Sequence, residues 1–319
     1  MPVKSSKELF DGLKLNGNFH LIDLDQKLPL FYGIDKKGRY CLAYESDKPA
    51  EDISGTRILE IVSGRRADGK YMTFLSLSDN GFRSVFFSLC DDIIAVLNDI
   101  ADNDSGFLIF TTRIKTWKKM FASKSGLLSD LVIQGLYGEL YFLDTFMFRK
   151  YGMEKAVKAW GGPQGMSKDF SIDLDWYEVK CITSGKDKVT ISSAQQLQSE
   201  NPGHLVVVRV ETEPEGFDNG IATINELFNK VSKELSRFPD SLDLFLDSIH
   251  KRGFSPEDEY EKIRFNVIGT DFYHVEEGFP RIVVPSESQF AIGKISYELI
   301  LNSLKEYLEG GDDDGRNGK

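Results

Sequence analysis

Residues 169–180 read Asp169-Phe-Ser-Ile-Asp173-Leu-Asp175-Trp-Tyr-Glu178-Val-Lys180, and the organisation of the chain turns on this stretch. Two short β-type segments, 169–172 and 176–182, flank a polar Asp-Leu-Asp joint suited to a tight turn. Side chains alternate along a strand, so Glu178 and Lys180 point one way and Val179 the other. Val179 and Phe170 can then enter a core while the charged pair lines a cleft. Asp169 opens the neighbouring strand and brings its carboxylate beside Glu178. Two carboxylates on adjacent strands make an oxygen-rich site that suits Mg²⁺, and an amine two residues on can orient a water there. An acid and a lysine two apart also occur on ordinary solvated strands. Asp173 and Asp175 are rival carboxylates, read as turn residues.

Downstream, residues 188–191 form a third strand, a helix starts near Ser192 or Ser193, and the β-branched run 205–210 is a buried strand. Upstream, residues 129–150 form a long helix with Leu131, Leu136, Leu140 and Leu143 near one stripe, before the break Trp160-Gly-Gly-Pro163. Short strands at 19–24, 30–34, 39–44, 57–63, 71–77 and 84–89, with turns at 35–38 and 67–69, predict an antiparallel β-rich front. A helix follows at 91–100 with Asp91 and Asp92 in its first turn, then a short helix or connector at 115–120. Toward the end, helices are expected at 221–237, 241–251 and 292–308, and strands at 264–268 and 281–284. The fold class is therefore mixed α/β (α+β): an α/β body behind an antiparallel β-rich N-terminal domain.

Asp169 followed by Glu178-Val-Lys180 resembles the bipartite signature of the PD-(D/E)xK phosphodiesterase superfamily, which includes restriction endonucleases and recombination nucleases. In that fold a helix precedes the first catalytic strand and often turns a glutamate toward the metal. Gly135-Leu-Tyr-Gly-Glu139 stands at that place, its small residues suited to close packing on a sheet. A later helix often carries a glutamine, and Ser192-Ser-Ala-Gln195-Gln196-Leu197 stands there. The whole ordered set, from Glu139 through Gln196, resembles one bacterial group of uncharacterised superfamily members. It departs from the signature in one place, with Lys168 where a proline often precedes the first aspartate.

The resemblance implies a restriction endonuclease-like core of order α-β-β-β-α-β. Domain bounds follow as 1–105 for the β-rich domain, 106–215 for the nuclease core, 216–308 for an extension packed on the core, and 309–319 for a disordered acidic tail. It further implies an Mg²⁺-dependent DNA endonuclease, with Mn²⁺ as a substitute, acting in a restriction or phage-defence system. Asp169, Glu178 and Glu139 would hold the metal, with the Val179 carbonyl as a further ligand, although Glu139 also reads as a salt-bridged helix residue. Lys180 would position the attacking water. Gln195 or Gln196 would contact a phosphate or Lys180; the two point about 100° apart on a helix, and Gln195 is favoured. Implied partners are DNA, ATPase or helicase-like and methyltransferase defence proteins, and a second copy of the chain. The alternative is a catalytically inactive nuclease-fold DNA-binding or scaffold subunit. Substrates of RNA or modified DNA stay open.

Composition bounds these readings. The 319 residues suffice for one large or two ordinary domains, and 41% hydrophobic with 28% charged residues is usual for a globular chain. No stretch of about eighteen apolar residues predicts a membrane span, and no apolar run follows Lys4 and Lys7 to make a signal peptide. Three scattered cysteines, Cys41, Cys90 and Cys181, argue against a disulfide frame, so a cytoplasmic location is expected. The net charge of −11 works against a broad phosphate-binding face. Arg113-Ile-Lys115-Thr-Trp117-Lys118-Lys119 is the densest basic stretch, able to touch DNA phosphates or to form a solvated helix face; Lys186 and Lys188 are further candidates. His20, His204, His250 and His274 share no metal-ligand spacing. No histidine and acid can be placed with Ser192 or Ser193, and no glycine-rich phosphate loop with lysine is present.

Overall fold

Short runs rich in β-branched and aromatic residues build the first five strands, and a computed structural model shows how they pair. It describes residues 4–14, 17–25, 27–51, 53–121, 126–161, 167–213, 222–285 and 291–309, so the expected acidic tail lies outside the described residues apart from Glu309. The chain forms two compact units, one from residues 1–126 with 228–260, the other from 127–227 with 261–319.

In the first unit, helix α1 (Ser6–Asp11) opens with a capping box, Ser5 and Glu8 bonding each other's backbone N–H. Strands β1 (Phe19–Leu21), β2 (Leu30–Ile34), β3 (Tyr40–Ser46), β4 (Leu59–Arg65) and β5 (Tyr71–Leu77) form one antiparallel sheet in the order β1-β2-β3-β5-β4. The β2–β3 turn is held by the Asp35 carboxylate, which accepts from Lys37 N and Arg39 N at 2.9 Å, with Gly38 at φ 80°. Helices α2 (Arg83–Leu97) and α3 (Asn103–Trp117) follow.

Residues 84–89 are thus helix, not the expected strand. Val85, Phe86, Leu89, Cys90, Ile93 and Leu97 are all buried at helical spacing, and this stripe outweighs the β-propensity of a Val-Phe-Phe run. Asp91 and Asp92 consequently sit mid-helix rather than in a first turn. Helices α7 (Ile224–Leu235) and α8 (Pro239–Lys251) bring the chain back to this unit. The ring of Phe228 lies 6.0 Å from that of Trp117 and 5.6 Å from that of Phe245. Lys119 holds Asp243 at 2.6 Å and Asp247 at 2.8 Å. These contacts draw the unit's boundaries away from residues 105 and 216: α3 and α8 belong with the β-rich sheet.

The second unit is built on helix α4 (Asp130–Phe142), which runs through a π turn (Leu143–Met147) into α5 (Phe148–Tyr151), followed by α6 (Met153–Ala159). The expected long helix over 129–150 is therefore present, although Leu131 faces outward. Strands β6 (Phe170–Ile172), β7 (Asp175–Thr183), β9 (Gly203–Glu213) and β10 (Arg264–Val275) make a sheet in the order β10-β9-β7-β6, with β7 and β9 parallel. Strand β8 (Lys188–Ile191) pairs instead with β11 (Tyr297–Ile300) in a two-stranded ribbon.

Three expectations fail in this unit. The helix after β8 is a single 3-10 turn, Ala194–Gln196, because the Lys168 ammonium takes the carbonyls of Gln195, Gln196 and Gln198 that a helix would need. Residues 281–284, bounded by Pro280 and Pro285, make no strand; Val284 is gripped instead through its N–H and carbonyl by the Gln198 amide. Residues 292–308 divide into β11 and a 3-10 segment (Leu301–Tyr307), since Leu299 is buried while Glu298 and Ile300 are exposed, the alternation of a strand. No helix among the described residues is long and apolar enough to cross a membrane.

Candidate active site

The β6–β7 hairpin places the first acid. Its register pairs Ile172 with Asp175, Ser171 with Trp176 and Phe170 with Tyr177, so the next step along the hairpin sets Asp169 opposite Glu178. The turn between the strands is made by Asp173, at φ 53°, and the exposed Leu174, as the polar joint predicts. Phe170 and Val179 are buried on the apolar side. Asp169 Oδ2 accepts the Val179 N–H at 2.8 Å, which fixes its carboxylate beside β7.

Glu178 is 0% exposed and binds the Lys180 ammonium through Oε1 at 2.6 Å, while its Oε2 is buried with no hydrogen-bond partner. Lys180 also faces Gln196 Oε1 at 3.5 Å, and that oxygen accepts Ser192 N–H at 2.6 Å. Gln196, not the favoured Gln195, is therefore the glutamine at the site; Gln195 is exposed and contributes its backbone carbonyl to Lys168. A 3-10 turn rather than a helix orients the pair, so helical geometry was the wrong guide.

Helix α4 delivers Glu139. Gly138 makes this possible, because an added Cβ there would meet the Cβ of Cys181 at 2.5 Å, whereas Gly135 has open space. Gln134 donates to the Cys181 carbonyl at 2.9 Å and ties the same helix to β7. Glu139 Oε2 accepts the Trp160 indole N–H at 2.8 Å, and Trp160 in turn stacks on Phe170 at 6.4 Å between centroids.

The electrostatics tie these groups into one cluster. Burial, then the charges of Glu178 and Glu139, push the Asp169 carboxyl well up, against the pull of Lys180 and the Val179 N–H. Burial likewise pushes Glu178 up to about 7, opposed by Lys180 and reinforced by Glu139. Lys180 would lose its proton more readily through burial, but Glu178, Asp169 and Glu139 prevail and raise it, so the ammonium stays charged. Two acids that resist ionisation together, one with an unspent buried oxygen, are what a divalent cation would relieve; the donor set is all oxygen and fits Mg²⁺. The three acids are not drawn onto one point. Asp169 and Glu178 are each spent in part on a protein donor, and the three-ligand group whose atoms lie within 4.8 Å among the described residues is a different one, His204, His274 and Glu309.

Sequence reasoning passed over Lys168, noted only as a departure from the signature. It is buried under the Trp176 ring, 4.4 Å from the centroid, and burial lowers it to about 8 despite Glu178 and Asp169 nearby. Its three carbonyl partners anchor the turn that carries Gln196. The basic stretch at 113–119 is half spent inside the first unit: Arg113 is buried on Asp92 and the Ser236 carbonyl, Trp117 is buried, and Lys119 is paired, while Lys115 is exposed.

Over residues 7–302 the sequence matches the family described as "Putative PD-(D/E)XK family member" (DUF4420). No curated protein and no solved structure matches the chain.

Proposed function

The chain belongs to this PD-(D/E)XK family, whose fold is nuclease-like, and from that premise we propose that it is a divalent-metal-dependent endonuclease hydrolysing DNA phosphodiester bonds. The observation that carries this reading is the cluster of half-buried Asp169 and Lys180 around the buried Glu178, closed by Glu139 and Gln196, in which Glu178 Oε2 has no protein partner. Asp169 and Glu178 would hold Mg²⁺, or Mn²⁺ in its place, with Glu139 binding it directly or through water, and the ion when bound neutralises charge building on the scissile phosphate. Lys180, kept protonated by its acidic neighbours, faces the anionic diester and orients the water for in-line attack on phosphorus. Gln196 steadies the Lys180 ammonium, the Val179 N–H steadies Asp169, and the Trp160 indole steadies Glu139. The proposed setting is a bacterial restriction or phage-defence system with ATPase or helicase-like and methyltransferase partners, a second copy cutting the other strand, and a cytoplasmic location; it rests on the family resemblance.

Incubation of the purified chain with supercoiled plasmid and Mg²⁺ tests the reading. Wild type is expected to nick or linearise the plasmid. Lys180→Ala and Glu178→Gln should each lose roughly 10²-fold or more with unchanged far-ultraviolet dichroism. A Lys180→Ala protein that cuts as fast as wild type would remove Lys180 from the mechanism.

A second reading, a nuclease-fold scaffold without chemistry, is favoured by one observation: Glu178 Oε1 and Asp169 Oδ2 are already bonded to protein donors. Calorimetry with Mn²⁺ separates the two. An enzyme shows heat that disappears in Asp169→Asn, and a scaffold shows none that this substitution removes.

A further inference from the structure

Strands β9 and β10 pair antiparallel in a register that sets His204 directly across from His274. Their imidazoles lie 5.4 Å apart between centroids and are tilted by 28°, so two rings that repel when protonated are held nearly face to face. A carboxylate completes the group. Tyr273 bridges Leu308 and Glu309 N donates to the Phe272 carbonyl at 2.8 Å, which lays the segment after the last 3-10 turn along β10. Glu309 Oε1 thereby comes to 3.1 Å from His204 Nε2. One ligand atom from each of the three residues lies within 4.8 Å of the others.

A further observation points to a ligand. His204 Nδ1 is buried and has no hydrogen-bond partner, so the ring carries an unspent nitrogen that burial makes costly. The rings are also held by their neighbours. Tyr177 stacks on His204 at 5.2 Å between centroids, and the Glu276 carboxylate lies 3.8 Å from His274 Nδ1. Lys150, a nearby cation that acts on His204, is tied to the Tyr177 hydroxyl at 2.8 Å and to Asp175 at 3.7 Å.

We propose that His204, His274 and Glu309 form a binding site for a single zinc-class divalent cation, with its remaining position open to water. Two imidazoles and one carboxylate are a zinc donor set of the kind that leaves a coordination position free, whereas Mg²⁺ takes oxygen ligands. The site is separate from the carboxylate cluster. Tyr177 and Glu178 are consecutive on β7, so the ring that braces His204 and the buried acid project from opposite faces of the sheet. Through Glu309 the ion clasps the end of the described chain to β10.

The test titrates Zn²⁺ alone into full-length protein held in excess Mg²⁺. The carrier is an Asp169→Asn/Glu178→Gln background, so zinc taken up by the carboxylate cluster does not count. The expected result is one Zn²⁺ per chain, insensitive to Mg²⁺, with Co²⁺ in its place giving the visible absorption of a low-coordinate nitrogen-bearing site. Adding His274→Ala or His204→Ala should weaken binding by more than the roughly 10–100-fold of an outer-sphere change. Glu309→Gln, at an exposed side chain, should weaken it by at least about tenfold with unchanged far-ultraviolet dichroism. Absence of zinc uptake in that background, or affinity unchanged in both His274→Ala and Glu309→Gln, would overturn the site.

Discussion

Lys180 meets two oxygens, Glu178 Oε1 and Gln196 Oε1, and the second is also held by the Ser192 N–H. The glutamine is thus fixed from its backbone side and presents a preset acceptor to the ammonium. Removing that acceptor should cost about one charge-assisted hydrogen bond, so Gln196→Ala is expected to slow plasmid cleavage roughly tenfold. Gln195→Ala removes only an exposed side chain and should stay within about twofold. Initial rates of nicking for the two variants side by side decide between the neighbouring glutamines; equal losses would contradict the assignment. Asp92 offers a residue-scale contrast. It is as buried as Glu178, yet it serves packing: Oδ2 accepts the Trp117 indole N–H at 2.8 Å and lies 3.7 Å from Arg113 Nε.

At the scale of elements, the candidate site depends on two close approaches. Helix α4 can lie on β7 only because Gly138 has no side chain, and Gly138→Ala forces the helix away from Cys181. Overpacking of this kind costs about 1–3 kcal/mol, read as a lower urea midpoint, and cleavage should fall as well because Glu139 shifts with the helix. Gly135→Ala, with open space at its Cβ, is the control and should be neutral or slightly stabilising. The other approach is the Lys168 clamp on the turn bearing Gln196. Lys168→Met keeps the apolar stem under Trp176 but strands three carbonyls. Hydrogen exchange at residues 194–198 should then accelerate by at least about tenfold, while amides of β9 stay protected.

For the molecule as a whole, the first unit carries a pH-dependent term. Burial raises Asp92 to about 6 from an ordinary 3.8, and the long contact to Arg113 and the Trp117 bond only partly oppose it. A carboxyl raised in the folded state binds its proton more tightly there than when unfolded. Its contribution is therefore fully present below about pH 4 and is lost as pH rises through about 6, on the order of 3 kcal/mol in total. Urea unfolding of wild type compared with Asp92→Asn at pH 4 and pH 7 should show the wild type losing ground by that order as pH rises; a constant difference would refute it. Much of the second unit was legible in the chain. Alternation along 169–180 and the short polar turn put Asp169 beside Glu178 and Lys180, because strand faces and hairpin register are set by neighbours a few residues away. The long helix bearing Glu139 followed from helical spacing for the same reason. Other features depended on distant partners. A β-prone run at 84–89 became helix once its apolar stripe met a core, and Arg113 and Lys119 of the basic stretch were absorbed by Asp92, Asp243 and Asp247. Lys168 reached across to make residues 194–196 a 3-10 turn and so chose Gln196. His204 and His274, without any ligand spacing along the chain, became neighbours through the β9–β10 register. Local periodicity is written in short stretches of sequence, whereas such meetings are settled only when a folded core decides which remote segments share the same space.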